Sequence, residues 1–277
     1  MTGIIDVGGG NRAAFANGVL DYLVDNGIKT DLFIGVSAGA ANGCSYVAGQ
    51  SGRNIKFYTE YSLSPRAVGL LAKLRTGSFI DLDYIYGTLS KSDGKCPLDF
   101  KAFSASPTDF YAVATDADSG EAVYFGKDSM KNDDYRPVCA SSCMPGVCRP
   151  YEYEGRRYFD GYVSDPLPVE KALELGCDRL LVLLTLPKNH FRSGKNDAEA
   201  AAKVKKYPAA AEKLARQAEI YNAQLKTCLE LEEEGKALII YPRHNHLHSF
   251  EKDKERIRAL YREGYDNGPK AAEFLQR

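Results

Sequence analysis

The sequence predicts an α/β fold, with three α/β/α layers built on a mostly parallel central sheet. Residues 3–7 and 32–36 are short apolar segments, and each is followed by a stretch with the apolar spacing of a helix. Residues 180–186 are mainly Leu and Val, which is typical of a strand buried on both faces. Because strands that alternate with helices usually pair in parallel, this order favours a parallel sheet.

Length and composition are those of an ordinary globular protein. The chain has 277 residues, of which 44% are hydrophobic and 26% charged, so it can bury a sizeable core. A net charge of −1 provides no attraction for nucleic acid, and no apolar run approaches the ~20 residues that span a bilayer. The first residues lack a basic segment followed by an apolar one, so we expect a cytoplasmic protein.

The cysteine pattern predicts reduced thiols. The seven cysteines are odd in number and include no C-x-x-C pair, which argues against a disulfide framework. Cys139, Cys143 and Cys148 lie close together in the sequence, but their spacing matches no zinc site. We therefore expect these cysteines to be small buried residues and the chain to bind no metal and no cofactor.

The first two helices have clear ends. Apolar spacing predicts a helix over residues 13–26 that stops at Gly27, and a second over 38–48 that stops at Gly49. Residues 53–89 follow with aromatic and aliphatic residues spaced as short helices. Two interpretations of residues 65–89 stay open: a helical layer on the sheet, or an apolar lid over an active site. Any membrane contact would be peripheral, through the same residues.

Two hairpins are expected in the middle of the chain. Residues 110–115 and 122–125 alternate as strands around a turn, and residues 147–153 and 157–159 do so around another. Residues 135–142 between the hairpins are predicted to form a short helix.

The last third of the chain is mainly helical. The periodicity of alanine and charged residues predicts helices at 197–206, 208–234 and 253–274. Residues 237–241 are predicted to form one short strand. We therefore divide the chain into an α/β hydrolase core, residues 1–190, and a helical C-terminal extension, residues 191–277, packed on that core.

One pentapeptide points to chemistry. Gly35-Val36-Ser37-Ala38-Gly39 has the G-x-S-x-G pattern of a nucleophile elbow, in which a strained turn between strand and helix exposes a serine hydroxyl. Gly35 and Gly39 leave room for the strand and helix to pass close to each other. Ser37 is therefore the candidate nucleophile.

A serine nucleophile also needs donors for an oxyanion and a base. Three glycines, Gly8, Gly9 and Gly10, follow the first strand and can direct backbone N–H groups into a site, with the charge of Arg12 nearby. Asp160 follows a predicted strand and precedes a glycine, so its carboxylate is the candidate base.

A histidine base remains an alternative. All four histidines, His190, His244, His246 and His248, follow Ser37, as a Ser-His-Asp triad requires. They lie in polar or charged stretches, however, which is not the small-residue loop expected of a catalytic base.

These motifs together resemble those of the patatin-like phospholipases. The glycine triplet with Arg12, the G-x-S-x-G motif and the later Asp160-Gly161 all match, as does the small-residue stretch 140–145 that ends in proline. The resemblance covers residues 3 to about 186. It implies a serine acyl hydrolase with a Ser37–Asp160 dyad, an oxyanion hole at Gly8 to Gly10 beside Arg12, and no catalytic histidine.

The chain departs from the family pattern at three positions. Ala13 stands where glycine is usual after the arginine, Tyr162 replaces a second glycine after Asp160, and Cys143 stands where alanine is usual. We expect Tyr162 to narrow the substrate pocket.

Two single motifs also fit other functions. Gly8-x-Gly10-x-x-Ala13 fits a dinucleotide fingerprint, but the acidic residue it requires, Asp31, stands before its strand. The three histidines at 244–248 could form a metal site, although such a run is more often a surface loop.

Charged residues near Asp160 are expected to have structural roles. Asp165 is interpreted as a turn or cap residue before Pro166, and Arg156 and Arg157 as surface residues of a hairpin.

The sequence therefore predicts an acyl-ester hydrolase that releases fatty acid from a lipid or phospholipid ester. The alternatives are a triad esterase and a catalytically weak lipid-binding protein.

Overall fold

The computed structural model describes residues 1–243 and 247–277, and its described strands form one eight-stranded mixed sheet. The strands are β1 (Thr2–Asp6), β2 (Leu32–Val36), β3 (Asp109–Asp116), β4 (Ala122–Gly126), β5 (Tyr151–Tyr153), β6 (Arg156–Asp160), β7 (Arg179–Leu183) and β8 (Ala237–Ile240). The order β3-β2-β1-β7-β8 is parallel throughout, while β4, β5 and β6 pair antiparallel at one side. The predicted α/β class with a mostly parallel sheet is confirmed.

Helices connect and cover the strands. They are α1 (Ala14–Asp25), α2 (Ala38–Val47), α3 (Arg53–Lys56), α4 (Leu70–Thr76), α5 (Phe100–Ala105), α6 (Arg136–Ser141), α7 (Val169–Glu174), α8 (Asp197–Ala202), α9 (Pro208–Ala215), α10 (Gln217–Glu233) and α11 (Lys254–Gln276). The remaining helical turns are short: 3-10 helix at Gly10–Ala13, Lys127–Ser129 and Gly161–Val163, and π-helix at Phe57–Tyr61 and Asp83–Thr88.

Two sequence expectations about these elements were wrong. The predicted single helix over 208–234 is two helices, because Arg216 has φ −111° and ψ 14° and interrupts the helical path between α9 and α10. The first strand of the second hairpin is only Tyr151–Tyr153, since residues 144–148 instead form turns closed by backbone hydrogen bonds.

The core consists of two apolar layers on opposite faces of the sheet. Side chains alternate along each strand, so Ile4 and Phe33 pack on one face and their neighbours Ile5 and Ile34 on the other. Helices α1, α2 and α11 cover the first face, and α7 and α10 cover the second. This alternation produces the three layers, because each face of the sheet must bury its apolar side chains under helices.

The C-terminal helix α11 lies against α1 on the first face. A Cβ placed at Gly264 would overlap the backbone oxygen of Phe15, so the two helices can approach this closely only with glycine there. The Tyr261 hydroxyl donates to Asp21 at 2.9 Å and adds a polar contact beside the apolar ones. The packing of α11 on α1 joins the end of the chain to its first helix, and the division at residue 190 stays a prediction.

Replacing Gly264 with valine should therefore destabilise the protein. The added side chain meets backbone, which cannot move aside cheaply, and overpacking of this kind typically costs about 1–3 kcal/mol. Chemical denaturation followed by circular dichroism measures this loss. Gly87→Ala is the matched control, because a Cβ at Gly87 meets no atom within 4 Å. Equal stability of the two variants would contradict the close α1–α11 contact.

Candidate active site

The register of the sheet brings Ser37 and Asp160 to the same place. Strand β2 pairs with β3 as far as Val36, which lies opposite Val113. The next residue of β3, Ala114, pairs with Asp160 of β6. Strand β4 already occupies the other edge of β3 at this point, so β6 must continue along the edge that β2 leaves. The ends of β2 and β6 therefore abut, with Ser37 directly after one and Asp160 last in the other.

Ser37 adopts a backbone conformation that is unfavourable for a residue with a side chain. Its φ of 58° and ψ of −127° lie in a region that typically costs about 1–3 kcal/mol outside glycine. The Ser37 N–H donates to Ser141 Oγ at 2.9 Å, which holds this turn, and α2 begins at the next residue. The strain is typical of a serine whose hydroxyl must point away from both strand and helix.

The two glycines that flank the turn lie where β2 and α2 come closest. A Cβ on Gly35 would lie 2.5 Å from the Cα of Ala40, and a Cβ on Gly39 would overlap the backbone oxygen of Asp6. Any larger residue at either position would push α2 away from the sheet, and Ser37 with it.

The glycine loop is fixed by a buried carboxylate. Asp6 accepts a hydrogen bond from the Gly8 N–H at 2.9 Å and another from Asn42 Nδ2 at 2.8 Å. Since the Gly8 N–H is already bonded, the predicted donor role narrows to Gly9 and Gly10. Within residues 1–243 and 247–277, neither of these two N–H groups has a hydrogen-bond acceptor.

Asp160 is fully buried, and its environment favours the neutral carboxyl. Burial raises its pKa to about 7, although hydrogen bonds from the Tyr162 N–H and the Ser37 hydroxyl act in the opposite direction. The Tyr162 N–H lies 3.0 Å from Oδ1, and the Asp160 N–H donates to the Cys143 oxygen at 2.8 Å. Its carboxyl is thus held in place and can exchange a proton near neutral pH.

Both side chains open into one cavity of about 390 Å³. Its wall also includes Gly9 and Arg12, and Arg12 Nε donates to the Gly9 oxygen at 3.3 Å. The remaining wall is mixed, with apolar, aromatic and polar groups from Val7, Met144, Pro145, Tyr162, Pro166, Thr185, Leu186, Arg192, Ala200, Leu214, Tyr221 and Ser249. Tyr162 takes part in this wall, and the narrowing expected from its size stays a prediction.

The 65–89 segment does not cover this cavity. No residue of the segment lines it, whereas Val68, Ile80 and Ile85 line a second, more apolar cavity of about 110 Å³. Gly10 and Ala38 line this second cavity and not the first, and Ser249 lines both. In this conformation the segment therefore forms a helical layer over a different space, and it is not a lid on Ser37.

The residues that hold the site in place give little signal in the sequence. Asp6 accepts the Gly8 N–H, Asn42 donates to Asp6, and Ser141 accepts the Ser37 N–H, but none of these three residues belongs to a motif that indicates such a contact. Asp6 offered one signal, because an acidic residue two positions before a glycine loop can accept the N–H of its first glycine.

The interpretation of Asp165 as a turn or cap residue was wrong. Its carboxylate is buried and accepts hydrogen bonds from the Tyr124 hydroxyl and from Gln224 Nε2, each at 2.5 Å. It therefore joins β4 to α10. Arg156 and Arg157 do lie on the hairpin surface, where they pair with Asp116 and Asp118.

No described histidine reaches the cavity. His190 and His248 are exposed and do not line it, while His244 and His246 lie outside the described residues. Within the described ranges, no group of three His, Cys, Asp or Glu side chains could hold a metal ion.

The dinucleotide interpretation also fails on geometry. Asp31 accepts a hydrogen bond from the Thr2 N–H at 2.7 Å, at the start of β1. It thus lies at the opposite end of the sheet from the glycine loop, where it could not bind a ribose whose phosphates sit on that loop.

Burial of Asp160 should make the protein less stable as the pH rises. The carboxyl has a pKa of about 7 when folded, against 3.8 as the ordinary value, so over this range the folded protein retains a proton that the unfolded chain releases. Asp160→Asn should remove this penalty. The free energy of unfolding of this variant should exceed that of the wild type by an amount that grows from pH 4 to pH 7. The difference should reach on the order of 4 kcal/mol and stay constant at higher pH.

Urea denaturation at several pH values measures this difference. Asp118→Asn is the control, since Asp118 lies on the surface, 58% exposed and paired with Arg157, and is not buried as Asp160 is. A constant difference between Asp160→Asn and the wild type from pH 4 to pH 8 would rule out the raised pKa.

The relatives of this chain include two known proteins that are similar to it in sequence. It is 30% identical over 199 residues to the uncharacterized protein YjjU of Escherichia coli K12, covering 66% of this chain and 52% of that protein. It is 34% identical over 77 residues to the uncharacterized NTE family protein Rv1063c of Mycobacterium tuberculosis, covering 28% of this chain and 20% of that protein. The chain thus spans about half the length of the first relative and a fifth of the second.

Among solved structures, VipD from Legionella pneumophila aligns over 99% of this chain and 66% of its own, with a TM-score of 0.46 and 14% identity. A family model described as a domain of unknown function (DUF6363) matches residues 207–277. A model of the patatin-like phospholipases matches residues 7–173. Because that match covers more than half of the sequence, the chain belongs to the patatin-like phospholipase family.

Proposed function

We propose that this protein is a serine acyl-ester hydrolase that acts on a lipid ester through Ser37 and Asp160. One observation carries the proposal: a serine with a strained backbone lines the same cavity as a buried carboxyl whose pKa is about 7, and the Ser37 hydroxyl interacts with that carboxyl. Membership of the patatin-like phospholipase family supports lipid hydrolysis in general.

The proposed reaction proceeds through an acyl-enzyme. Ser37 Oγ attacks the ester carbonyl carbon as its proton passes to the Asp160 carboxylate. The carbonyl oxygen becomes an oxyanion and accepts hydrogen bonds from the N–H groups of Gly9 and Gly10. The C–O bond of the alcohol then breaks, and the departing alkoxide takes the proton from Asp160.

Water completes the cycle. Asp160, again ionised, removes a proton from a water molecule that attacks the acyl carbon, and the second oxyanion uses the same two N–H groups. The bond between Ser37 Oγ and the acyl group breaks, a fatty acid leaves, and Ser37 regains its proton from Asp160.

The raised pKa of Asp160 explains how a carboxylate could serve as the base. A proton acceptor works best when its pKa lies near the working pH, because it is then both ionised and basic. An exposed aspartate would be ionised but weakly basic. Burial of Asp160 supplies the basicity that a histidine provides in a triad.

The cavity wall supports an acyl chain as the bound group. Met144, Pro145, Leu186 and Leu214 present apolar surface beside Ser37, and water excluded from such surface favours an alkyl chain. We therefore propose a fatty acyl ester, of a phospholipid or of a simpler lipid, as the substrate.

Ser37→Ala and Asp160→Asn should each lower kcat/KM for p-nitrophenyl butyrate by a factor of about 1,000 or more, because each removes a reacting group. A fluorophosphonate probe should label the wild type at Ser37. The kcat/KM of the wild type should rise with pH through about 7, as Asp160 loses its proton.

Histidine variants test the triad alternative in the same assay. Alanine at His190, His244, His246 or His248 should change kcat/KM less than about threefold, since no proton transfer is assigned to them. A loss as large as that of Asp160→Asn in any of the four would overturn the dyad. A folded protein that neither reacts with the probe nor hydrolyses esters would favour a lipid-binding role.

We also propose a peripheral contact between α4 and a membrane surface. Leu70, Leu71 and Leu74 are 68%, 47% and 77% exposed, and the basic side chains Lys73 and Arg75 lie on the same short helix. Apolar groups flanked by basic ones suit the interface of an anionic bilayer. No helix in the described ranges is long and apolar enough to span a membrane.

The variant Leu70→Ser/Leu74→Ser should bind phosphatidylglycerol vesicles at least about tenfold more weakly, because two leucines no longer enter the interface. Co-sedimentation with vesicles measures this binding. Leu173→Ser, at a leucine 38% exposed on α7, is the matched control and should bind as the wild type does. Equal losses in both variants, or none, would contradict a contact through α4.

A further inference from the structure

Two cysteines flank a turn that forms part of the wall of the candidate active site. Cys143 and Cys148 lie at the two ends of this turn, and the Cys148 N–H donates to the Met144 oxygen at 2.9 Å. Met144 and Pro145, inside the turn, line the cavity that contains Ser37. The geometry of the turn therefore decides the shape of this part of the wall.

The side chains of the two cysteines are buried beside each other. Cys143 and Cys148 belong to one buried cluster with Leu82 and Cys139. The interaction with the Cys148 thiol, together with burial, raises the pKa of Cys143 well above its ordinary value. The Cys143 thiol also donates to the backbone oxygen of Arg149 at 2.9 Å, directly after Cys148 in the chain. The two sulfur atoms are therefore neighbours, as the formation of a disulfide requires.

One member of this pair reaches an open space. Cys148 is 7% exposed and lines an open groove of about 1060 Å³, whereas Cys143 is completely buried and does not line that groove. A sulfur atom with so little exposed surface is more accessible to a small oxidant, such as a peroxide, than to a bulky one. Cys148 therefore meets the oxidant first, and Cys143 is the second thiol to react.

We propose that Cys143 and Cys148 form an oxidation site, at which hydrogen peroxide converts the two thiols into a disulfide. The Cys148 thiolate attacks one peroxide oxygen and the O–O bond breaks, which leaves a sulfenic acid on Cys148. The other oxygen takes up the thiol proton and leaves as water. The Cys143 sulfur then attacks the Cys148 sulfur, the S–O bond breaks, and the hydroxyl leaves with the Cys143 proton as a second water. Two thiols and one peroxide thus give one disulfide and two molecules of water.

The disulfide changes the candidate active site through Cys143. The Cys143 oxygen accepts the Asp160 N–H at 2.8 Å, so it helps to hold the proposed base. A bond between the two sulfur atoms draws the ends of the turn together, which displaces Met144 and Pro145 and strains the hydrogen bond to Asp160. Oxidation therefore slows ester hydrolysis. This effect rests on the proposed function, whereas the formation of the disulfide does not.

Mass spectrometry after treatment with hydrogen peroxide tests the site. The wild type should lose the mass of two hydrogen atoms, and peptide mapping should place the disulfide between Cys143 and Cys148. Cys148→Ser should not show this loss, and Cys143→Ser should retain a sulfenic acid on Cys148 that dimedone traps. If either variant fails to fold, peptide mapping of the wild type decides. No disulfide, or one that joins other cysteines, would overturn the proposal.

Cys139→Ser is the matched control for these measurements. Cys139 is buried in the same cluster, but its thiol donates to the backbone oxygen of Leu82, at 3.6 Å. This variant should form the disulfide as the wild type does. A loss of the disulfide in Cys139→Ser as complete as in Cys148→Ser would contradict the pairing.

Kinetics measure the effect of the disulfide on the reaction. Peroxide should lower the kcat/KM of the wild type for p-nitrophenyl butyrate by about tenfold or more, because small displacements around reacting groups cost rate. Dithiothreitol should restore the activity, which excludes oxidation of Met144 as the cause, since this reagent does not reduce methionine sulfoxide. Cys148→Ser should keep its kcat/KM in peroxide.

The two measurements keep this proposal separate from the catalytic one. A disulfide that leaves kcat/KM unchanged would overturn the effect on the candidate active site. If the reduced wild type hydrolyses no ester, the proposed function fails, while a disulfide mapped between Cys143 and Cys148 would still support the oxidation site.

Discussion

The edge of β3 is the feature on which the candidate site depends. Strand β2 uses this edge as far as Val113, and β6 begins to use it at Ala114, from the opposite direction. Hydrogen bonds between backbones fix this junction to within one residue, because a shift of one residue would turn Asp160 to the other face of the sheet. The same junction excludes a larger residue after Asp160, since a Cβ on Gly161 would overlap the Val113 oxygen.

Two buried carboxyls serve the site in different ways. Asp6 accepts hydrogen bonds from the Gly8 N–H and from Asn42 Nδ2, and these bonds hold the glycine loop in shape. Asp160 shares its carboxyl with the Tyr162 N–H and the Ser37 hydroxyl. Burial raises the pKa of both, to about 6 and about 7. Because burial favours the neutral form of both carboxyls, ionising either of them at neutral pH lowers the free energy of unfolding.

The last third of the chain contributes to the site as well as to the fold. Helix α11 supports α1 through the Gly264 contact, at a distance from Ser37. Residues Leu214 and Tyr221 of α9 and α10 form part of the cavity wall, and α10 also positions Arg192. The core supplies Ser37 and Asp160, and the C-terminal helices supply part of the wall of the cavity into which both side chains open.

The sequence by itself determined the fold class, the elbow and the glycine loop, because strands, helix ends and glycine turns depend on neighbours within a few residues. Their approximate bounds followed for the same reason, apart from the break at Arg216 and the short first strand of the second hairpin. Only the tertiary structure decided that Asp160 contacts Ser37, that Asp165 joins β4 to α10, and that Arg192 enters the cavity. These contacts join residues 25 to 123 positions apart. Hydrogen bonds and burial at such a separation leave no local pattern in the sequence, and only the register of the sheet and the packing of α10 create them.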